Sequence, residues 1–561
     1  MIRQLFCMTM LLFGSAFISE TNNVFAQSSD TAVQENNKRP NIFFFFADDW
    51  GRYASIYAQN PINQTIKTPN IDRLGHEGVC FTNAHITSPS CTPCRSSLFS
   101  GQYFYRTGRG AILRPALWDE TIPVFPLLLE QSGYRIGFTY KAWGPGLNPD
   151  APFGGNRTRY SKAGSRFNRF SHVVTELVAK GQNRETAKEE LYTGCLKNFE
   201  LFLADHKKTS NNNNQPFCYY FGPTNTHRTW EKGSGKALWD LNPDDLQGKL
   251  PKFLPDVPEV REDFCDYLGE VLALDAVLER FLKKLEDIGE LDNTVIVMSG
   301  DHGVPGFPRG KCNLYNFGTE VSLLVRWGDK IKGGRTVDDF INMMDIAPTF
   351  LEIAGLTPPE CMTGRSILPL LLSDKNGQID PSRDFVVTGR ERHYDSARAD
   401  YTPYPQRSIR TNDFLYIRNF QPQRYPMGDP YHQTTGDSPE EMKQKSMDTG
   451  YSFPDLDASP TKTWILLREN DPQWKSYWDY AFGKRSGEEL YDLREDSDYL
   501  VNVAENPKYA EIRQTLAQRL TTILTSTGDP RVTGDGQTFE KPPFAGPETL
   551  DTSMPRKKNS R

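Results

Sequence analysis

Asn41-Ile42-Phe43-Phe44-Phe45-Phe46-Ala47, followed at once by Asp48-Asp49, is the stretch that indicates how this chain folds. An uncharged run with four consecutive phenylalanines suits a strand that is buried on both faces. Strands of this kind belong to parallel sheets that are covered by helices on both sides. The two acidic residues stand at the carboxyl end of the strand, which is where ligands gather in such sheets.

A long amphipathic helix leads to a second strand with a similar ending. Between Glu262 and Ile288, apolar residues recur at three- and four-residue steps, and Gly289 ends the helix. The β-branched strand Thr294–Met298 then leads to Asp301-His302. Earlier in the chain, Thr121–Gln131 is also predicted to be helical. The alternation of strands and helices predicts an α/β fold with a large, mostly parallel sheet sandwiched by helices.

The chain is predicted to have five parts. Residues 1–26 have the form of a secretory signal peptide, because Arg3 precedes an apolar run that is shorter than the roughly 20 residues of a spanning helix. A buried N-terminal helix is the alternative. No later stretch is long and apolar enough to span a membrane, so we expect an exported protein, periplasmic or secreted. The other parts are a linker (27–38), the α/β domain (39–372), a smaller C-terminal α+β domain (373–545) and a polar tail (546–561).

Composition excludes some functions. The formal charge of -6 over 561 residues gives no support to a nucleic-acid partner, which would need a basic face. A polyanion would therefore have to be bound by a local cluster of arginine, lysine and metal. Eight cysteines remain outside the leader, but their irregular spacing and even number fix no disulfide pairing. In the C-terminal domain tyrosine, arginine and proline become dense, and helical patterning is lost until Pro507–Leu524.

The two polar pairs that follow buried strands, Asp48-Asp49 and Asp301-His302, are a candidate metal site. A hard cation needs several oxygen ligands, and at a strand end the chain turns, so that both adjacent acids can reach one ion. Solvated loop acids are the alternative for either pair alone. Two such pairs at strand ends favour the metal site.

Cys91-Thr92-Pro93-Cys94-Arg95 is the most informative short segment. A Cys-x-x-Cys spacing suggests a redox dithiol or a structural disulfide. Against the dithiol, no tryptophan precedes Cys91, and redox chemistry has no use for Arg95. The segment continues as Ser96-Ser97-Leu98-Phe99-Ser100-Gly101.

These residues resemble the signature of the type I sulfatases, a family of the alkaline phosphatase-like superfamily in which the cysteine becomes Cα-formylglycine. The resemblance extends to polysaccharide- and heparan-type bacterial sulfatases and covers nearly the whole mature chain. Five segments carry the resemblance. They are the first metal strand (Asn41–Trp50), the Cys-x-Pro-x-Arg core (Cys91–Arg95), the second metal strand (Thr294–Gly303), a segment with a catalytic lysine (Gly310–Tyr315) and a C-terminal strand (Glu489–Leu493).

The resemblance implies a sulfatase catalytic domain at 39–372 and a mechanism. An aldehyde made from Cys91 by a formylglycine-generating maturation enzyme would hydrate to a geminal diol. One hydroxyl would attack sulfur and release the sugar alcohol, and the other would then expel sulfate. A cation, usually calcium in the family with magnesium as the other candidate, would lower the pKa of the attacking hydroxyl. The implied metal ligands are Asp48, Asp49, Cys91, Asp301 and His302.

Further catalytic residues follow from the same resemblance. Arg95 would hold the hydroxyls of the aldehyde hydrate, and Lys141 and Lys311 would meet the sulfate oxygens. His227 lies in a segment similar to the Pro-His-x-Pro of the family, after the apolar strand Phe217–Phe221, and would protonate the leaving oxygen or bind sulfate.

The sequence departs from the family pattern at three positions. The family commonly has a histidine where this chain has Trp143, so either another base takes that role or the substrate subsite differs. His302 replaces a more common asparagine and is a reasonable ligand. Cys94 replaces a more common serine and leaves the maturation pattern readable.

The substrate is expected to be a sulfated carbohydrate, either a glycosaminoglycan or an algal polysaccharide such as ulvan or carrageenan. Arg392, His393 and Arg398 lie close to an aromatic and proline-rich stretch and are a candidate substrate rim, with a solvated charged loop as the alternative. Two other functions remain open. They are a phosphatase or phosphodiesterase on the same fold, against which Cys91 argues, and an inactive protein that binds sulfated glycans.

Overall fold

The computed structural model describes residues 38–148, 150–209 and 215–547. The predicted signal peptide, nearly all of the linker and all but the first two residues of the tail lie outside the described residues. The described residues from Arg39 onward belong to one compact unit. Throughout the described ranges, no helix combines the length and the apolar character that crossing a membrane requires.

A seven-stranded sheet dominates the structure, with the strand order β3-β4-β1-β5-β6-β2-β7. All neighbouring strands run parallel except β6, which is antiparallel to both β5 and β2. The predicted mostly parallel sheet is therefore confirmed. Its strands are β1 (Asn41–Ala47), β2 (Val79–His85), β3 (Arg135–Tyr140), β4 (Phe217–Gly222), β5 (Thr294–Gly300), β6 (Leu323–Arg326) and β7 (Arg335–Asn342).

The second sheet is smaller and antiparallel, with the order β11-β10-β9-β8. Its strands are β8 (Phe385–Arg390), β9 (Gln406–Thr411), β10 (Phe414–Asn419) and β11 (Glu488–Asp492). The helix Ala510–Ser526 packs Leu516 and Leu520 against Ile409 and Tyr416 of this sheet. The predicted smaller α+β architecture is confirmed, whereas the boundary at residue 372/373 stays a prediction.

Helices cover both faces of the large sheet and surround the small one. They are α1 (Pro69–His76), α2 (Cys91–Ser100), α3 (Phe125–Gln131), α4 (Phe170–Ala179), α5 (Arg184–Thr209), α6 (Ser234–Trp239), α7 (Pro258–Asp287), α8 (Asn316–Thr319), α9 (Ile346–Ile353), α10 (Leu368–Leu371), α11 (His432–Thr435), α12 (Pro439–Lys445), α13 (Pro460–Leu466), α14 (Lys475–Phe482), α15 (Ala510–Ser526) and α16 (Pro530–Thr533).

The phenylalanine run explains why β1 lies inside the sheet. Side chains alternate between the two faces of a strand, so Phe43 packs against Phe281 of α7, and Phe44 packs against Phe350 of α9 on the opposite face. Every residue of β1 is buried. Burial of one such side chain stabilises the fold by about 1.5–3 kcal/mol, which makes this strand a strong organiser of both helical layers.

Three helix predictions need correction. Helix α3 begins at Phe125 and not at Thr121, because Pro126 lies in its first turn and the preceding Val124 is extended. Helix α7 spans Pro258–Asp287, so it starts one turn earlier than predicted and ends one residue sooner. Helices α12, α13 and α14 lie where helical patterning was expected to be lost. They have only seven or eight residues each, too few for a clear periodic signal.

Candidate active site

Adjacent parallel strands bring the two polar pairs together. Strands β1 and β5 pair in register up to their ends, with Ala47 opposite Gly300, so Asp48-Asp49 and Asp301-His302 emerge side by side. The chain turns at Asp49, whose φ is 57°, and its backbone N–H donates a hydrogen bond of 2.7 Å to the carboxylate of Asp301. The turn places both adjacent aspartates in one buried site, as the sequence led us to expect.

Cys91 is the first residue of α2 and points at this pair of strand ends. Its Sγ lies 3.3 Å from Nε2 of His302 and 3.8 Å from the carboxylate of Asp49. The positive end of the helix dipole therefore faces the polar cluster. Burial raises the pKa of the Cys91 thiol well above its usual range, and the same holds for Cys94. Every cysteine in the described ranges is free, so the residues form neither an activated dithiol nor a disulfide.

The donor set around Cys91 fits a hard divalent cation. Carboxylate oxygens of Asp48 and Asp301 lie within 4.8 Å of one another and of the cysteine sulfur, and Asp49 and His302 form a second such group with it. Nδ1 of His302 lies 3.1 Å from the carbonyl oxygen of Gly303. A carbonyl only accepts, so Nδ1 carries a proton, and Nε2 faces the cluster at 3.1 Å from the carboxylate of Asp49.

Arg95 links the two acidic pairs from below. Its guanidinium donates to Asp301 at 2.9 Å and to Asp48 at 3.0 Å, and it donates to the hydroxyl of Tyr220 at 2.7 Å. The side chain has no exposed surface. Arg95 and Lys141 hold the pKa of Asp48 well below its usual range, although burial alone would raise it. Lys141 and Arg95 thus favour the ionised form of Asp48, whereas burial raises the pKa of Asp301, and Arg95 holds both carboxylates in place through its hydrogen bonds.

Two lysines enter the site from opposite sides. Nζ of Lys141 lies 2.6 and 2.7 Å from the two carboxylate oxygens of Asp48. Nζ of Lys311 lies 3.0 Å from Asp49 and 3.3 Å from Asp457. Burial acts to lower the pKa of Lys311, but the carboxylates of Asp457 and Asp49 hold it well above its usual value. Both lysines thus remain cations that can meet sulfate oxygens.

His227 stands at the mouth of the site. Its Nδ1 lies 2.6 Å from the carbonyl oxygen of Arg228, so this nitrogen carries a proton. Its Nε2 lies 3.4 Å from Nζ of Lys311 and 3.8 Å from the carboxylate of Asp49. With 37% of its side chain exposed, His227 is the most accessible ionisable group among the clustered residues. It can reach an incoming ligand while the ring orientation stays fixed.

A buried network holds the segment that carries His227. Arg228 forms a two-pronged ion pair with Asp263 of α7, at 2.8 and 3.0 Å. Asp263 also accepts a hydrogen bond of 2.6 Å from the hydroxyl of Thr461 in α13. One carboxylate therefore joins the His227 segment to the C-terminal region that supplies Asp457.

Trp143 is a packing residue at the position where the family commonly has a histidine. Its ring packs edge-on against Trp118 at 5.6 Å, and its Nε1 donates a hydrogen bond of 2.8 Å to the hydroxyl of Ser96 in α2. Trp143 therefore supports the helix that begins with Cys91. The ring leaves no place at this position for a base that faces the site.

The three predicted substrate-rim residues are all buried and lie in different surroundings. Arg392 donates to the carbonyl oxygens of Phe544 and Gly546. Arg398 donates to the carboxylate of Asp455 at 2.9 Å. His393 lies against α2, with its Nδ1 2.8 Å from the hydroxyl of Ser90, and burial together with Lys311 lowers its pKa to about 3. Of the three, only the neutral His393 adjoins the cluster.

The structure thus brings together the predicted residues Asp48, Asp49, Cys91, Arg95, Lys141, His227, Asp301, His302 and Lys311. Asp457 and Tyr220 were not among the residues predicted from the sequence. Tyr220 lies inside an apolar strand, where only its hydroxyl distinguishes it. Asp457 is one acid among many in a stretch without a periodic pattern, and no signal in the sequence marks it.

Two family models match this chain. A family model described as Sulfatase matches residues 40–356, and one described as N-sulphoglucosamine sulphohydrolase, C-terminal, matches residues 303–457. N-sulphoglucosamine sulphohydrolase from Homo sapiens is 27% identical over 89% of this chain and 93% of its own length. An ulvan-active sulfatase from Formosa agariphila is 25% identical over 88% of this chain and 76% of its own length.

A solved structure shares the fold. It shows a protein in complex with its substrate D-glucosamine-2-N,6-O-disulfate and aligns with a TM-score of 0.56 at 19% identity. The alignment covers 88% of this chain and 99% of the other.

Proposed function

Since this chain belongs to the sulfatase family and is a sulfuric ester hydrolase, we propose that it removes sulfate groups from a glycosaminoglycan or an algal polysaccharide. The observation that carries the proposal is the position of Cys91 at the start of α2, facing Asp49 and His302 and flanked by lysines. Relatives named for N-sulphoglucosamine and for ulvan support a sulfated carbohydrate over a small aryl ester.

The charges of the site suit a sulfate monoester. The three metal-facing aspartates, Asp48, Asp49 and Asp301, and the nearby Asp457 supply four negative charges, and Arg95, Lys141 and Lys311 supply three positive ones. A divalent cation held by the three aspartates, His302 and the residue 91 side chain would make the site positive. We infer calcium, with magnesium as the other candidate, because oxygen donors predominate. When bound, the cation supplies charge neutralisation and lowers the pKa of a nearby hydroxyl.

Each side chain then has a role. Formylglycine would be made from Cys91 by a maturation enzyme. One hydroxyl of its hydrate would attack sulfur, and the other hydroxyl would then expel sulfate. Lys141 and Lys311 neutralise the sulfate oxygens and orient sulfur toward residue 91. Arg95 holds Asp48 and Asp301 in place. When its ring is protonated on both nitrogens, His227 would give the Nε2 proton to the sugar oxygen as the bond between that oxygen and sulfur breaks, and it would keep the proton on Nδ1.

The proposal includes export. A signal peptide at residues 1–26 would direct the protein to the periplasm or the outside of the cell, where polymeric glycans are found. N-terminal sequencing of the protein recovered from outside the cytoplasm should begin near Gln27.

Mass spectrometry and a substrate screen test the proposal together. Protein co-expressed with a formylglycine-generating enzyme should lose the thiol sulfur at residue 91 and hydrolyse sulfated oligosaccharides. Cys91→Ala, purified in the same way, is the matched control and should be inactive. Full activity from protein with wholly unmodified Cys91, or faster turnover of phosphate esters than of sulfate esters, would overturn the proposal.

A further inference from the structure

Asp457 introduces a negative charge into a site built for an anion. Its carboxylate lies 3.3 Å from Nζ of Lys311, and the same nitrogen lies 3.0 Å from the carboxylate of Asp49. Burial acts to raise the pKa of Asp457, but Lys311 and His227 hold it below its usual value, so the carboxylate stays ionised. An ionised acid beside a bound sulfate weakens binding of the ligand unless the same ligand carries a hydrogen-bond donor for that acid.

Asp457 also lies where a substrate can reach it. The side chains of Arg95, Asp49, Asp301 and His302 have essentially no exposed surface. Three groups that face the cluster keep some exposure, namely His227 at 37%, Lys141 at 18% and Asp457 at 17%. These three form the mouth of the site, and Asp457 is the only acid among them. A ligand whose sulfate enters between the lysines therefore passes this carboxylate.

The segment around Asp457 is held rigidly by buried groups. Lys462 donates its ammonium hydrogens to the carbonyl oxygens of Leu456 and Phe453, at 2.7 and 3.2 Å. Asp455 accepts a hydrogen bond from Arg398, and Ser459 donates one of 2.6 Å to the carbonyl oxygen of Gly306. A carboxylate fixed in this way is preorganised for one ligand geometry. Oδ2 of Asp457 is buried and lies 3.3 Å from Nζ of Lys311, so the exposed part of the side chain lies outside this oxygen.

We infer that Asp457 is a specificity-determining residue that accepts a hydrogen bond from a hydroxyl or N–H group beside the sulfated position of the sugar. The inference rests on the proposed function and narrows its substrate class. The preferred sugar carries a hydrogen-bond donor on the carbon next to the one that bears the sulfate. A sugar that is blocked at that neighbouring position offers Asp457 no hydrogen bond, and a second sulfate there would repel the carboxylate. The enzyme would therefore reject such a sugar.

A substrate-by-variant comparison tests the inference. The probe is the monosaccharide sulfate that the wild-type enzyme hydrolyses fastest, and it is compared with its analogue deoxygenated at the neighbouring carbon. An amino analogue at that carbon distinguishes hydroxyl from N–H recognition. A hydrogen bond to a charged acceptor predicts that the wild-type kcat/KM falls by about 10–100-fold on the deoxy analogue. Asp457→Ala should reduce this discrimination to within about threefold.

The control variant is Asp457→Asn, which keeps the shape and one acceptor and should retain part of the discrimination. Thermal unfolding midpoints of both variants verify folding. The inference is overturned if the wild-type enzyme does not discriminate, or if Asp457→Ala loses the same factor on both probes, as expected of a residue that only positions Lys311. A wild-type enzyme that cleaves aryl sulfates but no sugar sulfate would instead refute the proposed function, and the inference with it.

Discussion

Trp143→His tests whether this chain has room for a catalytic base at the position where the family commonly has a histidine. The structure predicts that it does not. Trp143 is only 8% exposed, packs against Trp118 and donates a hydrogen bond to Ser96, which lies in the helix that begins with Cys91. The imidazole of Trp143→His would therefore occupy the interior beneath α2.

The loss of folding free energy expected for Trp143→His follows from these contacts. Loss of a buried tryptophan to alanine destabilises a protein by about 3–5 kcal/mol. The histidine ring refills part of that volume, which leaves about 2–3 kcal/mol. Loss of the hydrogen bond to Ser96 adds about 1 kcal/mol. We expect a total of about 3–4 kcal/mol, together with a kcat lowered by about tenfold or more, because a small shift of α2 displaces residue 91.

Urea unfolding and turnover of a sulfated oligosaccharide measure the two effects. Trp143→Phe is the matched control, since it keeps an apolar aromatic ring beside Trp118 but loses the hydrogen bond to Ser96 and a smaller part of the indole volume. It should be destabilised by about 2 kcal/mol and keep kcat within about threefold. If Trp143→His were as stable as the wild type and turned over as fast or faster, the position would be an open base site, and the packing role would be refuted.

Three further predictions concern the metal, the acid and the pH dependence of stability. Chelation should abolish activity, and calcium or magnesium should restore it. Asp301→Ala should remain folded and be inactive. Full activity of the metal-free enzyme would exclude the metal site. His227→Ala should lose about 10²–10⁴-fold on a sulfated oligosaccharide and much less on an aryl sulfate, whereas equal losses would indicate sulfate binding. Burial raises the pKa of Glu270 to about 7. Between pH 4.5 and 7 the folded state therefore binds a proton at Glu270 that the unfolded state lacks. The free energy of unfolding should fall as pH rises through this window. Glu270→Gln should flatten that fall when unfolding midpoints are compared at pH 5 and pH 8, and an unchanged slope would contradict the assignment.

Local patterns in the sequence were enough for the fold class and for most of the candidate site. The phenylalanine run Asn41–Ala47 and the strand Thr294–Met298 are continuous apolar segments, and burial on both faces of a parallel sheet is the simplest outcome for them. Because parallel strands end at the same edge, Asp48-Asp49 and Asp301-His302 were expected to meet there. Cys91, Pro93 and Arg95 are close enough in the chain to be recognised as one motif.

Tertiary structure alone decided what surrounds these residues. Asp457 faces Lys311 because Thr461 of α13 binds Asp263 of α7 and Ser459 binds the carbonyl oxygen of Gly306, and no local pattern encodes contacts across so many residues. The same applies to Arg398, which was expected at an exposed rim and instead holds Asp455, and to Trp143, whose packing under α2 depends on Trp118 and Ser96. Local periodicity reports which face of an element is apolar, whereas the partner of a single polar side chain depends on how distant elements pack.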